Sequence, residues 1–508
     1  MPIMSLAERF QGVKTDRKPI KNVAVIGAGI SGVVSAAHLI REGFGITVFE
    51  RTGAIGGVWC YDERVDRDPP FPNIVPPVQD WKDLEKEGLS TEEASLLHGP
   101  PGPCYAGLKN NVPTSLMKSS LLPWPEETEE FVDQGRVVQY LQDIARLHRV
   151  TENVQFHTRV ESVTKPAGSA QWTVKTSTLR MEGNTFSVSR RNDSFDGIVV
   201  ASGHYHVPFV PDIPGLSEWK RCFPGRVTHS KSYRTPEPFR GKTVLLVGAG
   251  ASSLDIAREV DALGGKVYQS RRESKYDLTA SRLPEAVERV AMVAEFIVGE
   301  IDELKAICNG KNEGTIPGRI VLEDGTTLVN IDHVVIATGY ITSYPFLEDL
   351  EQPYMAWEDA DERIVITEDG YTTHNLHKDI FYIPDPTLAF IGVSQLVSTF
   401  SLFDFQAKVM AKVLAGLVHL PDESVMKAEQ RKRKARFQHG DRFHALLLGE
   451  QSYITELLTW VNDNLTKVNL APMEGMDAKW LEAYDKFRAN RPVENAVGKT
   501  VVVAEGLQ

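Results

Sequence analysis

Three glycines, Gly27, Gly29 and Gly32, followed by a carboxylate at Glu50, are spaced to hold a dinucleotide. They lie in KNVAVIGAGISGVVSAAHLIREGFGITVFE (Lys21 to Glu50), which reads as strand, tight turn, helix and returning strand. Such a turn brings backbone N–H groups and a helix N-terminus against a pyrophosphate. A carboxylate at the end of the next strand accepts hydrogen bonds from both hydroxyls of an unphosphorylated ribose, which selects FAD or NAD over NADP. A second set, Gly248, Gly250 and Ser253, stands in KTVLLVGAGASSLDIAREVDALGGKVYQSRR (Lys242 to Arg272), with a small serine replacing the third glycine. Its returning strand ends at Ser270, Arg271 and Arg272, without a carboxylate. Guanidinium groups grip a 2′-phosphate through charge-assisted hydrogen bonds, so this site is expected to prefer NADPH to NADH. Just before it stands FPGRVTHSKSY (Phe223 to Tyr233), an irregular stretch with Gly225, His229 and Tyr233 at four-residue intervals.

The elements that must position these residues are two βαβ units, the building block of a doubly wound parallel sheet. Two further apolar runs, DGIVVASGHYHVP (Asp196 to Pro208) and DHVVIATGYITSYPF (Asp332 to Phe346), end in small turns and read as strands covered on both faces. The expected fold is α/β with two Rossmann-like dinucleotide-binding domains. The FAD domain is discontinuous, formed from 1–222 and from 334–508 with its helical C-terminal part, and the NADPH domain at 223–333 is inserted. FPGRVTHSKSY then falls in the crossing between them. Between Tyr61 and Cys104 the clustered prolines predict a long ordered loop with one short helix near Trp81 to Glu87, serving equally as surface or as a wall over the site. KAEQRKRKARFQHGDR, in the C-terminal helices, reads as a solvated helix face.

The 508 residues predict two or three domains. A formal charge of -12, with no basic block outside that one run, gives no electrostatic reason to hold nucleic acid. Cys60, Cys104, Cys222 and Cys308 form neither a CxxC pair nor a metal-ligand cluster, so reduced thiols and no metal are expected. Without a signal-like start or an apolar run long enough for a bilayer, the expectation is a soluble, cytoplasmic protein without a membrane anchor. A free 2′-OH site beside an NADPH site describes a flavoprotein fed by NADPH. A disulfide reductase of this layout needs paired cysteines, which leaves O2 as the natural electron acceptor.

The order of motifs resembles the flavin-containing monooxygenases, class B enzymes using FAD and NADPH: GAGISG (Gly27 to Gly32), Glu50, GGVW (Gly56 to Trp59), FPGRVTHSKSY, GAGASS (Gly248 to Ser253) and ATGY (Ala337 to Tyr340). FPGRVTHSKSY fits the family fingerprint FxGxxxHxxxY/F, the linker that helps position the nicotinamide domain over the flavin; with Asn111, His229 and Tyr233 are the candidate catalytic residues, and for His229 organising the linker is favoured over transferring a proton. The resemblance implies FAD contacts from Gly27, Gly29, Ser31, Gly32, Glu50, Val58 and Trp59. It implies NADPH contacts from Ser252, Ser253, Leu254 and Asp255, with Arg271, between Ser270 and Arg272, on the 2′-phosphate. LKNNVPTSLM (Leu108 to Met117) looks like the family's L-x-T-N-x-P-x-E-x-M element and puts Asn111, flanked by Asn110 and Val112, beside the isoalloxazine and the nicotinamide. Thr338 and Gly339 of ATGY, and Gln406 of TFSLFDFQA (Thr399 to Ala407), complete the expected set.

Ser115 departs from the family's usual glutamate and Asn110 from its threonine or serine, and the proline-rich loop is longer than in the animal enzymes. The mammalian C-terminal anchor is missing, which suits a soluble microbial or fungal member; homodimers are common in the family. The implied reaction is reduction of FAD by NADPH, addition of O2 at the flavin C4a, and transfer of the distal oxygen to a soft nucleophile, amine nitrogen or sulfide. NADP+ is retained to shield the hydroperoxide. A Baeyer–Villiger enzyme is the nearest rival, but its fingerprint ends in Trp followed by Pro or Asp, whereas Tyr233 precedes Arg234. A non-catalytic NADPH-binding scaffold is the rival from another class.

Overall fold

The computed structural model describes residues 20–272, 280–299, 314–437, 442–447 and 449–489; Cys308 and the tail GKTVVVAEGLQ lie outside them. From the N-terminus the chain forms β1 (Asn22–Ile26), α1 (Ile30–Arg41) and β2 (Gly45–Phe49). A long excursion carrying α2 (Thr91–His98) follows, then α3 (Gln134–Leu147) and β3 (Val154–Gln155). An antiparallel meander of β4 (Thr158–Thr164), β5 (Trp172–Glu182) and β6 (Thr185–Phe195) leads to β7 (Gly197–Val200) and the short β8 (Val207–Pro208).

The second unit runs α4 (Leu216–Cys222), β9 (Val227–His229), β10 (Thr243–Val247), α5 (Ala251–Ala262), β11 (Lys266–Ser270) and β12 (Glu288–Val290). It continues through antiparallel β13 (Val293–Val298), β14 (Gly318–Leu322) and β15 (Thr327–Leu328) and closes with β16 (His333–Ile336). The chain returns through β17 (Tyr340–Ile341), which pairs antiparallel with β8, so the outgoing and returning crossings lie side by side. β18 (Leu376–His377), β19 (Phe381–Tyr382), β20 (Leu388–Phe390), α6 (Phe400–Leu414), α7 (Glu423–Lys434), α8 (Glu450–Lys467) and α9 (Ala478–Ala489) complete the described elements.

Two sheets result. The first has the order β18-β19-β20-β7-β1-β2-β3, so strands from both ends of the chain build it; the second has the order β12-β11-β10-β16-β9. The fold is α/β with two dinucleotide-binding units, the first interrupted by the second. Strand alternation explains its layers. Val23 and Val25 of β1 face the cluster built by α1, α3 and α6, whereas Ala24 and Ile26 face Phe49, Phe195 and Phe390. Val210, Leu216 and Trp219 pack with Leu245 and Val334, so α4 belongs to the core of the second unit.

Two sequence expectations shift. The helix of the proline-rich excursion lies at Thr91–His98, and Asp83–Glu85 forms only a 3-10 turn. Ser90 and Glu93 supply a reciprocal capping box at its start, a signal legible as S-x-x-E in the sequence. The excursion covers the meander: Leu84 and Ala94 pack on Leu179, and Arg159 of β4 pairs with the buried Asp83 at 3.0 Å. The basic run on α7 is also not wholly solvated. Arg433 pairs at 2.5 Å with the fully buried Asp379, and the Lys434 ammonium lies 4.5 Å over the Trp357 ring.

Candidate active site

The first glycine turn is closed by sterics. Gly27 has φ +102°, and a Cβ there would stand 2.7 Å from the Ala201 carbonyl oxygen. A Cβ on Gly32 would stand 1.9 Å from the Gly27 oxygen, so α1 approaches the turn as closely as a bare backbone permits. Gly29 is the N-cap residue of α1 and supplies no side-chain cap, as suits a helix N-terminus that takes an anion. GGVW forms a second turn pressed on the first: the Gly56 N–H donates to the Ala28 carbonyl at 3.1 Å, and a Cβ on Gly57 would stand 2.8 Å from the Gly29 Cα. Val58 and Trp59 follow, both half-buried, with the Trp59 ring 6.5 Å from Phe400 at the start of α6. Ser31 is buried, and Gly392 must be glycine there because its Cβ would reach within 2.4 Å of the Ser31 hydroxyl.

Glu50 is buried at the strand end. Its Oε2 accepts from the Ala28 N–H at 2.8 Å, and its Oε1 accepts from the Thr52 N–H and hydroxyl, each at 2.8 Å. A carboxylate offers about four lone-pair positions, so this one is held rigidly by three bonds with capacity remaining for a ribose hydroxyl.

The second unit repeats this geometry in register. Ile26 pairs with Phe49 and Val247 with Ser270, and the Gly27 and Gly248 N–H groups donate to the Phe49 and Ser270 carbonyls at 2.8 and 2.9 Å. A Cβ on Gly248 (φ +113°) would meet the Ala337 oxygen at 2.4 Å, as Gly27 meets Ala201. By this register Arg271 occupies the position of Glu50. Arg271 is half-exposed and Arg272 exposed, while the Ser270 hydroxyl is buried and donates to the Ala291 carbonyl at 3.0 Å. A Cβ added at Gly250 or Gly339 would meet nothing within 4 Å, which leaves space in front of the second turn. Of the α5 residues, Ser253 and Leu254 are buried, and the Ser253 Oγ accepts from the Gln269 amide at 2.9 Å. Ser252 is half-exposed, and one Asp255 oxygen accepts from the Tyr105 hydroxyl at 2.6 Å.

The linker joins the two units through buried polar groups. His229 ends β9, fully buried; its Nδ1 accepts the Lys231 N–H at 3.0 Å, so the proton sits on Nε2. Burial, reinforced by the Lys231 ammonium, drives its pKa down to about 3, and its ring lies 5.5 Å from Tyr340 of the ATGY turn. His229 is therefore a neutral brace between linker and turn. The Lys231 ammonium, also buried, pairs with Asp66 at 2.5 Å, and Lys220 pairs with Asp68 at 2.5 Å. Arg234 donates to the carbonyls of Arg64 at 2.9 and 3.0 Å and of Gly102 at 3.2 Å. The two ends of the proline-rich excursion thus fasten the linker. Tyr233 donates to Glu259 of α5, and its ring meets Tyr105 edge to face at 5.5 Å. Sequence reasoning missed Asp66, Tyr105, Lys231 and Arg234. For Lys231 and Arg234 the trace in the sequence is a set of three cations, with Arg226, in and just after the linker.

Asn110 and Asn111 behave differently. Asn110 is buried and all its amide capacity serves the loop: Nδ2 donates to the Val112 and Glu130 carbonyls at 2.7 and 2.8 Å, and Oδ1 accepts the Val132 N–H at 2.5 Å. Val112 is in the core, and Asn111, between them, is exposed. Ser115, which stands for the usual glutamate, receives a carboxylate from elsewhere, since its hydroxyl donates to Glu130 at 2.9 Å. The Thr338 hydroxyl donates to the Phe209 carbonyl at 2.6 Å. Gln406 is fully buried in α6; its Nε2 donates to the Tyr453 hydroxyl at 2.8 Å and its Oε1 has no hydrogen-bonding partner among the described residues. Arg51, Tyr205 and Tyr340 remain partly exposed, yet desolvation dominates the pKa of each, lowering the guanidinium and raising the phenols.

A family model described as flavin-binding monooxygenase-like matches residues 20–69, 101–298 and 294–474. The chain belongs to this family. The unmatched stretch between its first two segments is the proline-rich excursion that carries α2. The flavin-containing monooxygenase ustF2 of Aspergillus flavus is 41% identical over 490 residues, covering 92% of this chain and 97% of that protein. The flavin-containing monooxygenase iboF of Amanita muscaria is 27% identical over 485 residues, covering 88% of each. Among solved structures, S-allyl-L-cysteine S-oxygenase from Allium sativum superimposes with a TM-score of 0.67 over 93% of both chains at 24% identity, which shows a shared fold. As a family member the chain is an oxidoreductase and flavoprotein dependent on FAD and NADPH. Among the described residues no helix is long and apolar enough to cross a membrane, and no group of three or more His, Cys, Asp and Glu side chains is placed to hold a metal ion.

Proposed function

We propose that this flavin monooxygenase transfers one oxygen atom of O2 to a soft nucleophile, an amine nitrogen or a sulfide, at the expense of NADPH. In balance, substrate, O2, NADPH and a proton yield oxygenated substrate, NADP+ and water. The observation that carries this reading is the pair of in-register glycine turns whose strand ends bear opposite charges, Glu50 and Arg271, joined by a buried linker. Both turns fit a dinucleotide, because each is a cradle that a Cβ would fill beside an open helix N-terminus. When bound, the flavin supplies the redox chemistry and the activation of O2.

The chain's own residues bind, orient and exclude water. Gly27, Gly29, Ser31 and Gly32 hold the FAD pyrophosphate, Glu50 holds the ribose, and Val58 and Trp59 wall the first cleft. Gly248, Gly250 and Ser252 hold NADPH, with Arg271 and Arg272 on its 2′-phosphate. Asn111, with a free amide, orients the reacting groups, while Asn110 and Val112 fix its loop. His229 and Tyr233 act by holding the linker. His229 is neutral and fully buried with its Nδ1 taken by the Lys231 N–H, which favours holding the linker over transferring a proton.

Chemistry is tested by supplying a thioether, a tertiary amine and a cyclic ketone to the FAD-loaded enzyme with NADPH. Sulfoxide or N-oxide in step with NADPH loss is the expected outcome. Lactone from the ketone without heteroatom products overturns it in favour of a Baeyer–Villiger enzyme, and peroxide equal to NADPH loss with every substrate reduces it to an oxidase. A colourless protein that takes up no FAD would make it a scaffold. The reading includes a cytoplasmic enzyme acting on a small molecule, without nucleic acid, as a homodimer; sedimentation of the purified chain checks the last point.

A further inference from the structure

We propose that Tyr105 is a positioning residue, which fixes the angle between helix α5, with its NADPH turn, and the Asn111 segment through its hydrogen bond to Asp255. The inference rests on the two-nucleotide reading above and goes beyond it by assigning the device that sets the two clefts in register.

Three observations converge on this residue. Its hydroxyl donates to Asp255 Oδ2 at 2.6 Å, and one helical turn further along α5 Glu259 accepts from Tyr233, so α5 is gripped at two successive turns by two phenols. The two rings meet at 5.5 Å, which ties the grips together. Gly107, on the same segment as Tyr105, is a second fit: a Cβ there would stand 2.0 Å from Glu259 Oε1, so the segment lies against the carboxylate that Tyr233 holds.

The other end of Tyr105 is anchored in the first cleft. The neighbouring Cys104 thiol points at the Trp59 carbonyl at 3.3 Å, the Ala106 N–H donates to the Arg234 carbonyl at 2.9 Å, and the Leu108 N–H donates to the Tyr105 carbonyl at 3.1 Å. The two chain neighbours of Tyr105 thus bind the GGVW turn and the linker, and its own side chain binds the second unit. Burial raises both carboxylates and both phenols, so each group is desolvated and an unmatched partner would be left unsatisfied. Hydride transfer demands reacting atoms about 3–3.5 Å apart, and a rotation of α5 of a few degrees moves the far end of a bound dinucleotide beyond that range.

The test compares FAD-loaded wild type with Tyr105→Phe, Asp255→Ala and the double variant. Tyr105→Phe keeps the ring and removes only the donor. The expected result is reduction of the flavin by saturating NADPH slowed about tenfold, with reduction by dithionite and FAD content unchanged, and a double variant no slower than Asp255→Ala alone. Unchanged reduction by NADPH, or effects of the two substitutions that multiply, overturns the proposal. Hydrogen exchange of residues 251–262 without NADPH supplies an independent reading. Faster exchange in Tyr105→Phe supports the latch, and identical exchange sinks it. A wild type that neither binds nor oxidises NADPH refutes the functional reading, and the exchange comparison then still decides the latch.

Discussion

Glu50 and Arg271 close two equivalent turns, and the sign of that one charge selects which adenine dinucleotide each turn accepts. Arg271→Ala should lower kcat/KM for NADPH about tenfold to a hundredfold, the worth of a charged hydrogen bond or two, and leave NADH nearly untouched; steady-state rates with both coenzymes check it. Gly32→Ala places a Cβ 1.9 Å from a backbone oxygen that has nowhere to move, so the expected product is folded protein without yellow colour, measured as FAD per chain. His229, held at about 3, carries no charge change across the working range. His229→Asn should lower the height of the pH–rate profile between pH 6 and 9 without shifting its inflections. The glycine turns were legible in the sequence because every atom that requires a glycine lies in a short unit or at the end of a neighbouring strand. Asn110 and Asn111 were not separable, because the segment that buries the first, Glu130 to Val132, lies about twenty residues away in the chain and announces itself by no spacing.

At the scale of elements the linker is the least regular piece and the most firmly fastened. Lys231 is nearly inaccessible and its partner Asp66 mostly so, and removing one member of such a pair strands the other. Lys231→Met should destabilise the protein by about 3 kcal/mol, read as a lowered urea midpoint, with Asp66→Asn costing a comparable amount. The βαβ units, the fingerprint linker and the C-terminal helices were legible because each has a local period or punctuation. α2 begins about ten residues after the start of the helix expected at Trp81 to Glu87, and the signal that marks it is the Ser90–Glu93 capping box. The inward turn of α7 was not legible. Arg433 faces its chain interior because Asp379, 54 residues earlier, is buried there, and charge runs alone say nothing of distant partners.

Across the whole molecule the buried imidazoles set the response to acid. His98 and His204 fall to about 4, and His229, His374 and His377 to about 3, each chiefly through desolvation. In the unfolded chain they titrate near 6.5, so below that pH the unfolded state binds more protons than the native one and stability falls as pH drops. Glu351 and Glu450, raised to about 7 by burial, act in the opposite sense, gaining protons in the native state as pH falls from about 7 towards 4.5. The imidazoles outnumber them, and the melting temperature should decline steadily from pH 6.5 to 4.5, measured by thermal scans in a buffer series. The interrupted first sheet has a consequence for synthesis. β1, β2 and β7 leave the ribosome early, but the edge of β7 stays bare until β20 appears, and α1 lacks its cover until α6 follows. Nearly two hundred residues, including the entire second unit, must be translated in that interval. A nascent chain stalled anywhere before Phe390 presents an open strand edge and an uncovered apolar helix, the features that recruit chaperones or drive aggregation.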